Sequence, residues 1–404
     1  MKKQWLVLAV AVLSGLLLGC PPRGEGGAAS NGGTTGEILV GEYGSMTGQQ
    51  GTFGTSTHQG IQLAVDEINA AGGVNGRKIK ILLEDDQSKQ EEAANAVTKL
   101  ISQNNVVAVL GEVASSASIA AAPICQSNKI PMITPSSTNE AVTQKGDYIF
   151  RMCFIDNYQG PVMANFALKN LKAKRGAILT DVKNDYSTGL TSVIKQTFNS
   201  GGGNIVAEQS YSNGDADFRP QLTSIKAKNP DVIFVPGYYG DAGQIASQAR
   251  DLGITTPLVG GDGWESPKLL EIGGKALDGC YYANHYFSGD PDPRVQDYNR
   301  KYLERWKVNP DALSALGYDS ANVLADAIKR AGTTEGPRLR DAISGTKDFA
   351  GVTGKITIGP DRNPVGKKIV VIAIKNGKLT LATTIDPNAP AAAATAAATT
   401  TTSQ

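Results

Sequence analysis

Histidine is almost missing from this chain: only His58 and His285 occur, and the four cysteines form no CxxC pair, so a zinc site of imidazole and thiolate is not expected. Charge of one sign is missing too. The 39 basic and 38 acidic side chains nearly cancel, which leaves no basic field to hold a nucleic acid or draw the protein to anionic lipid. Fingerprints of common enzymes are also wanting. GSMTGQQG, after the first expected strand, has its glycines at spacings other than G-x-G-x-x-G; no P-loop occurs; and GTSTH (54–58) lacks the second glycine of a nucleophile elbow. An enzyme is therefore not expected, and neither is a cofactor or a metal. The apolar run from Trp5 to Leu18 is too short to span a bilayer comfortably and has the length of a signal-peptide core.

What is present has the composition of a globular protein. Across 404 residues, 41% are hydrophobic and 19% charged, enough for a large core and more than one domain. Lys2 and Lys3 precede the apolar run, which reads as an export signal over residues 1–19. It ends in LLGC (17–20), which resembles the lipobox of bacterial lipoproteins and implies a lipid on Cys20; the alternative is a plain signal peptide that contains a cysteine. Residues 20–36 are rich in Gly, Pro and Ser and read as a flexible linker, and 386–404 as a disordered Ala/Thr tail. The expected location is thus outside the cytoplasm on a lipid anchor, in the periplasm of a Gram-negative cell or on the outer face of a Gram-positive membrane. Past Cys20 the cysteines are Cys125, Cys153 and Cys280, so at most one disulfide can form.

Between these ends, short apolar strands alternate with helical stretches. Strand candidates are 37–44, 78–86, 106–111, 131–135, 176–181, 231–237 and 257–263, many of them unbroken apolar runs as in parallel strands covered on both faces. Ile61, Ala64, Val65 and Ile68 share one helix face, and INAAGG closes that helix. The pattern is α/β with doubly wound, Rossmann-like sheets, and too many strands for one sheet imply two lobes.

Ligands of such sheets sit at the carboxyl ends of the strands. Ser115 and Ser116 in GEVASSASI fall where a strand ends and a helix begins, so hydroxyls, free N–H groups and the positive helix end converge there, unless one serine is only an N-cap. Ser136, Ser137 and Thr138 follow another strand in the same way, with STNE shaped like a capping box for a following helix. Both strand ends suit a carboxylate more than a phosphate.

The ordered series GSMTGQQGTFGTSTHQG, GEVASSAS, IPMITPSSTNEAV, NDYSTG, PGYYGDAGQ and GGDGW closely resembles the leucine/isoleucine/valine-binding protein family, extracytoplasmic receptors of ABC transporters, over nearly all of residues 37–385. The resemblance implies a periplasmic binding protein type I fold with a three-strand hinge. Lobe 1 would hold 37–155 plus 286–364, and lobe 2 would hold 156–285 plus 365–385. It implies a monomer that takes an amino acid, most readily Leu, Ile or Val, and delivers it to a permease. By position, Ser115 and Thr138 would meet the ligand carboxylate, with backbone groups near Ser116 and Ser137. Tyr238 and Asp262 would meet the ammonium, and Phe53 and Tyr186 the side chain. Asp262 departs from the family, which has a glutamate there. A receptor or sensor of the same fold for an amide, a urea-like compound or an aromatic acid is the alternative. A buried carboxylate at 262 favours an ammonium-bearing ligand, because each charge of a zwitterion in a closed cleft needs a fixed partner.

Overall fold

The computed structural model describes residues 36–386. The expected signal peptide, Cys20, the linker short of its last residue and the tail past its first residue lie outside the described residues. No helix among the described residues is long and apolar enough to cross a membrane.

A five-stranded sheet opens the fold: β1 (Ile38–Gly44), β2 (Ile79–Asp85), β3 (Ala108–Leu110), β4 (Met132–Thr134) and β5 (Ile149–Arg151), in the spatial order β2-β1-β3-β4-β5. All its pairings are parallel. Every residue of β3, β4 and β5 is buried, and neighbours along a strand go to opposite layers. Val109, Met132 and Ile149 join one apolar cluster, while Ala108, Leu110, Ile133 and Phe150 join another. A strand covered on both faces needs no polar alternation, which is why these segments read as unbroken apolar runs.

A second sheet repeats the plan. It contains β6 (Arg175–Asp181), β7 (Asn204–Tyr211), β8 (Val232–Phe234), β9 (Leu258–Gly260) and β10 (Tyr281–Asn284), all parallel where they pair. A hairpin of β11 (Phe349–Gly351) and β12 (Gly354–Ile356) stands apart, after which β13 (Ile369–Lys375) and β14 (Lys378–Ile385) extend the second sheet antiparallel. Its order is β14-β13-β10-β9-β8-β6-β7. The seven strands expected from sequence form, and β5, β7 and β10 to β14 complete the set.

Helices α1 (Gly51–Ala70), α2 (Gln90–Ser102) and α3 (Ser115–Asn128) belong to the first sheet, and α4 (Asp156–Lys169), α5 (Asp185–Ser200), α6 (Arg219–Lys226), α7 (Tyr239–Asp251) and α8 (Pro267–Gly273) to the second. Then α9 (Pro293–Trp306), α10 (Ala312–Ala331) and α11 (Gly336–Ser344) return to the first, whose core takes Leu316, Leu324, Leu339 and Ile343. Packing of α10 on α1 depends on glycine. A Cβ on Gly60 would lie 1.8 Å from the Ser314 carbonyl oxygen, and one on Gly317 would lie 2.5 Å from that of Thr57. The two backbones touch, which fixes the amino ends of both helices side by side and with them Phe53 and Leu313.

Two local readings are corrected. The residue capping α3 is Ala114, with no side-chain cap bond, so neither Ser115 nor Ser116 serves as N-cap. No α-helix follows STNE: Asn139 Oδ1 accepts from Ala141 N in a turn, and only a single 3-10 turn, Thr143–Lys145, comes next. Arg151 claims the Ser137 and Asn139 carbonyls and so holds this segment as a loop. The three described cysteines are free thiols, all buried.

Candidate functional site

Strand order reverses between β1 and β3 in the first sheet and between β6 and β8 in the second, and these switch points leave crevices at the strand ends. The loops of both sheets meet around one small, tightly closed cavity. From the first-sheet side it is lined by Phe53, Val113, Ser136, Thr138 and Leu313; from the second, by Tyr186, Tyr238, Asp262 and Gly263. Phe53, Thr138, Tyr186, Tyr238 and Asp262, all singled out from sequence, are therefore brought together.

The serines divide by role. Ser136, in the loop two residues past β4, lines the cavity, and its buried hydroxyl has no partner in the protein. Ser137 Oγ is consumed inside the loop by the Glu112 and Val113 carbonyls and Ser118 Oγ. Ser115 Oγ accepts from Asn139 N at 3.2 Å, and Ser116 Oγ from Asp185 N at 3.0 Å. Their hydroxyls thus brace neighbouring segments, whereas the first backbone N–H groups of α3 have no helical carbonyl to bond. Ser136 is visible in the sequence as a third hydroxyl after the strand, but nothing local says which of the three turns inward.

The opposite wall is aromatic. Tyr186 sits in the first turn of α5, whose Asn184 cap accepts from its N–H, and Tyr238 immediately precedes α7. Their rings stack with centroids 5.3 Å apart and planes 3° from parallel, and Phe53 meets Tyr238 edge-on at 5.4 Å. GGDGW makes room for them. A Cβ on Gly261 would lie 2.4 Å from the Tyr186 hydroxyl, and one on Gly263 would lie 2.8 Å from the Tyr238 ring. Gly263 N donates to the Tyr186 hydroxyl at 3.1 Å.

Asp262 opens the turn after β9 and is buried with two partners that the sequence did not disclose. Gln159 Nε2 donates to its Oδ1, and His285 Nε2 meets its Oδ2, both at 2.9 Å. The same amide reaches Asp156 Oδ1 at 2.8 Å. Burial first, and the neighbouring Asp262 second, push the Asp156 carboxyl up to about 7. Burial holds the His285 imidazole below its ordinary value, so it is a neutral donor at pH 7.

The loop GEVASS is shaped by a second acid pair. Ser45 Oγ lies 2.8 Å from Asp86 Oδ1 and 2.9 Å from Glu112 Oε1, and one hydroxyl hydrogen cannot serve both. Burial, then Asp86, push Glu112 up to about 8, and burial pushes Asp86 to about 6. Glu112 also accepts from Ala114 N, which fixes the entry into α3.

Bonds cross between the two walls: Asn139 Nδ2 to the Asp185 carbonyl at 2.7 Å, Tyr239 OH to the Gln49 carbonyl at 2.8 Å, Thr52 to Ser266 at 2.9 Å, and Ala312 N to Glu265 at 3.1 Å. The cleft is closed over the cavity. Beside it lies an open polar cleft of about 310 Å³, lined by Ser116 and sharing Tyr238 with the cavity.

A family model described as periplasmic binding protein matches residues 37–378. A Leu/Ile/Val-binding protein from Rhizobium johnstonii is 30% identical over 86% of this chain and 94% of its own. A leucine-binding protein structure from Thermotoga maritima is 40% identical, with TM-score 0.83, over 87% of this chain and 99% of that one. A branched-chain amino acid transporter substrate-binding protein from Streptococcus pneumoniae, solved with isoleucine, is 34% identical with the same TM-score, over 87% of this chain and all of that one.

Proposed function

Because this chain belongs to the periplasmic binding protein family, we propose that it is the extracytoplasmic receptor of an ABC importer and binds a branched-chain amino acid between its lobes. One observation carries the reading. The cavity faces the unpartnered Ser136 hydroxyl and Thr138 on one side and a buried carboxylate, Asp262, on the other, with apolar and aromatic groups between them. A zwitterion with a small apolar side chain satisfies both ends, each by a charge-assisted hydrogen bond. Burying that side chain adds about 1.5–3 kcal/mol.

In this reading residues 37–155 with 286–364, and 156–285 with 365–385, are lobes that rotate about three crossings, and the bonds across the cleft hold the liganded form for a permease. The lipid on Cys20 and residence outside the cytoplasm are part of the same proposal. An aromatic acid could stack on Tyr186 and Tyr238, but without an ammonium it leaves Asp262 buried and uncompensated.

The test is calorimetric titration of purified protein, unfolded and refolded to strip carried ligand, against L-amino acids, amides and aromatic acids. Micromolar or tighter binding of Leu, Ile or Val supports the reading; binding only of ligands without an ammonium overturns it.

A further inference from the structure

We infer that Gln159 and His285 are positioning residues: they aim the Asp262 carboxylate into the cavity and thereby make the site select ligands that carry an ammonium. The inference rests on the amino acid reading above. Asp262 projects from a short turn flanked by glycines, so its own backbone does little to hold its side chain. Its two oxygens are instead gripped separately, Oδ1 by Gln159 from α4 and Oδ2 by His285 from the segment after β10, while Asp262 N returns a bond to Gln159 Oε1 at 3.2 Å.

Both grips are themselves fixed. Gln159 is fully buried and tied to Asp156 at the start of α4. The His285 side chain has no exposed surface, and its ring stacks on Phe154 with centroids 3.7 Å apart and planes 26° from parallel. With Nε2 donating, Nδ1 carries only a lone pair, and Nδ1 is buried without a partner.

A carboxylate offers about four acceptor positions. Two go to Gln159 and His285, which leaves one on each oxygen for a ligand. Neither partner brings a charge that cancels the carboxylate's. Among the described residues no lysine or arginine forms an ion pair with Asp262; Arg151 is spent on the Ser137 and Asn139 carbonyls, and Lys367 on Thr353. The arrangement thus presents an oriented carboxylate with a missing positive counterpart. An ammonium supplies it, and a ligand with hydroxyl in place of ammonium pays the full cost of a buried, uncompensated charge.

The experiment titrates refolded wild type, His285→Ala, His285→Gln and Gln159→Met with leucine and with 2-hydroxy-4-methylpentanoate, the same skeleton without the ammonium. The wild type is expected to prefer leucine strongly. His285→Ala and Gln159→Met should each weaken leucine by about 10- to 100-fold. The hydroxy acid should stay within about threefold, so the preference collapses. His285→Gln, whose amide nitrogen can stand where Nε2 stands, should restore leucine binding to within about threefold of wild type. A merely structural role would weaken both ligands together. If His285→Ala does not fold, Gln159→Met and His285→Gln still decide the matter. An unchanged leucine preference in Gln159→Met, with wild type binding leucine, overturns this inference alone. Failure of wild type to bind any amino acid overturns the functional reading, and this inference with it.

Discussion

The two walls of the cavity are built from the same topology and do opposite chemistry. The first sheet supplies the hydroxyl residues Ser136 and Thr138, with Phe53, Val113 and Leu313 as apolar neighbours. The second supplies two stacked tyrosines and the cavity's carboxylate. Neither wall can satisfy both ends of a zwitterion. In the proposed reading only the closed form does so, which would make occupancy and closure one equilibrium.

The largest break in this comparison should come from Asp262→Ala. If it meets a buried ammonium, leucine affinity falls by about 2–5 kcal/mol by calorimetry, with the loss in dissociation rate. Unchanged affinity would remove it from the site.

Next comes pH. Burial raises the Glu112 carboxyl from 4.5 to about 8, so the folded state keeps a proton that the unfolded chain releases. Glu112's contribution is therefore greatest below pH 4.5 and is lost as pH rises toward about 8. Chemical denaturation across this window should show a decline of a few kcal/mol in wild type and a flatter curve in Glu112→Gln. Equal slopes would mean that Glu112 ionises at its ordinary value.

Adjacent serines sharpen the contrast further. Ser136→Ala should weaken leucine by about 1.5–3 kcal/mol with the melting temperature kept, because its hydroxyl is unpartnered in the protein. Ser137→Ala should do the reverse, lowering stability by about 1–3 kcal/mol while affinity holds. The same outcome for both would erase the division drawn between them.

The smallest effect is assigned to the bond across the walls. Asn139→Ala removes a donor to the Asp185 carbonyl and should reduce affinity by about 0.5–1.5 kcal/mol, with faster ligand release in stopped-flow. No change in release rate would show that this bond does not help to hold the cleft closed.

Much of the fold was legible because its strands are buried on both faces, and a run such as VVAVLG carries that signal locally. The seven strands not singled out include three-residue β5 and exposed β14, which show little of it, but also β13, whose apolar run IVVIAI carries it plainly. The site was legible in kind: hydroxyls after two strands, aromatics in two loops and an acid between glycines. Five of the eight ligand-site residues expected from sequence line the cavity. Ser115, Ser116 and Ser137 instead turn their hydroxyls to protein partners.

What the sequence determined by itself was the period of its elements and the chemistry at their ends, since both depend on residues within a few positions of each other. Tertiary structure decided direction. Ser136 rather than Ser137 faces inward because Ser118 and the carbonyls of residues 112 and 113 draw the latter away. Asp262 is held by Gln159 and His285, 103 and 23 residues distant, and no local pattern joins positions that only meet once two sheets have packed against a common cleft.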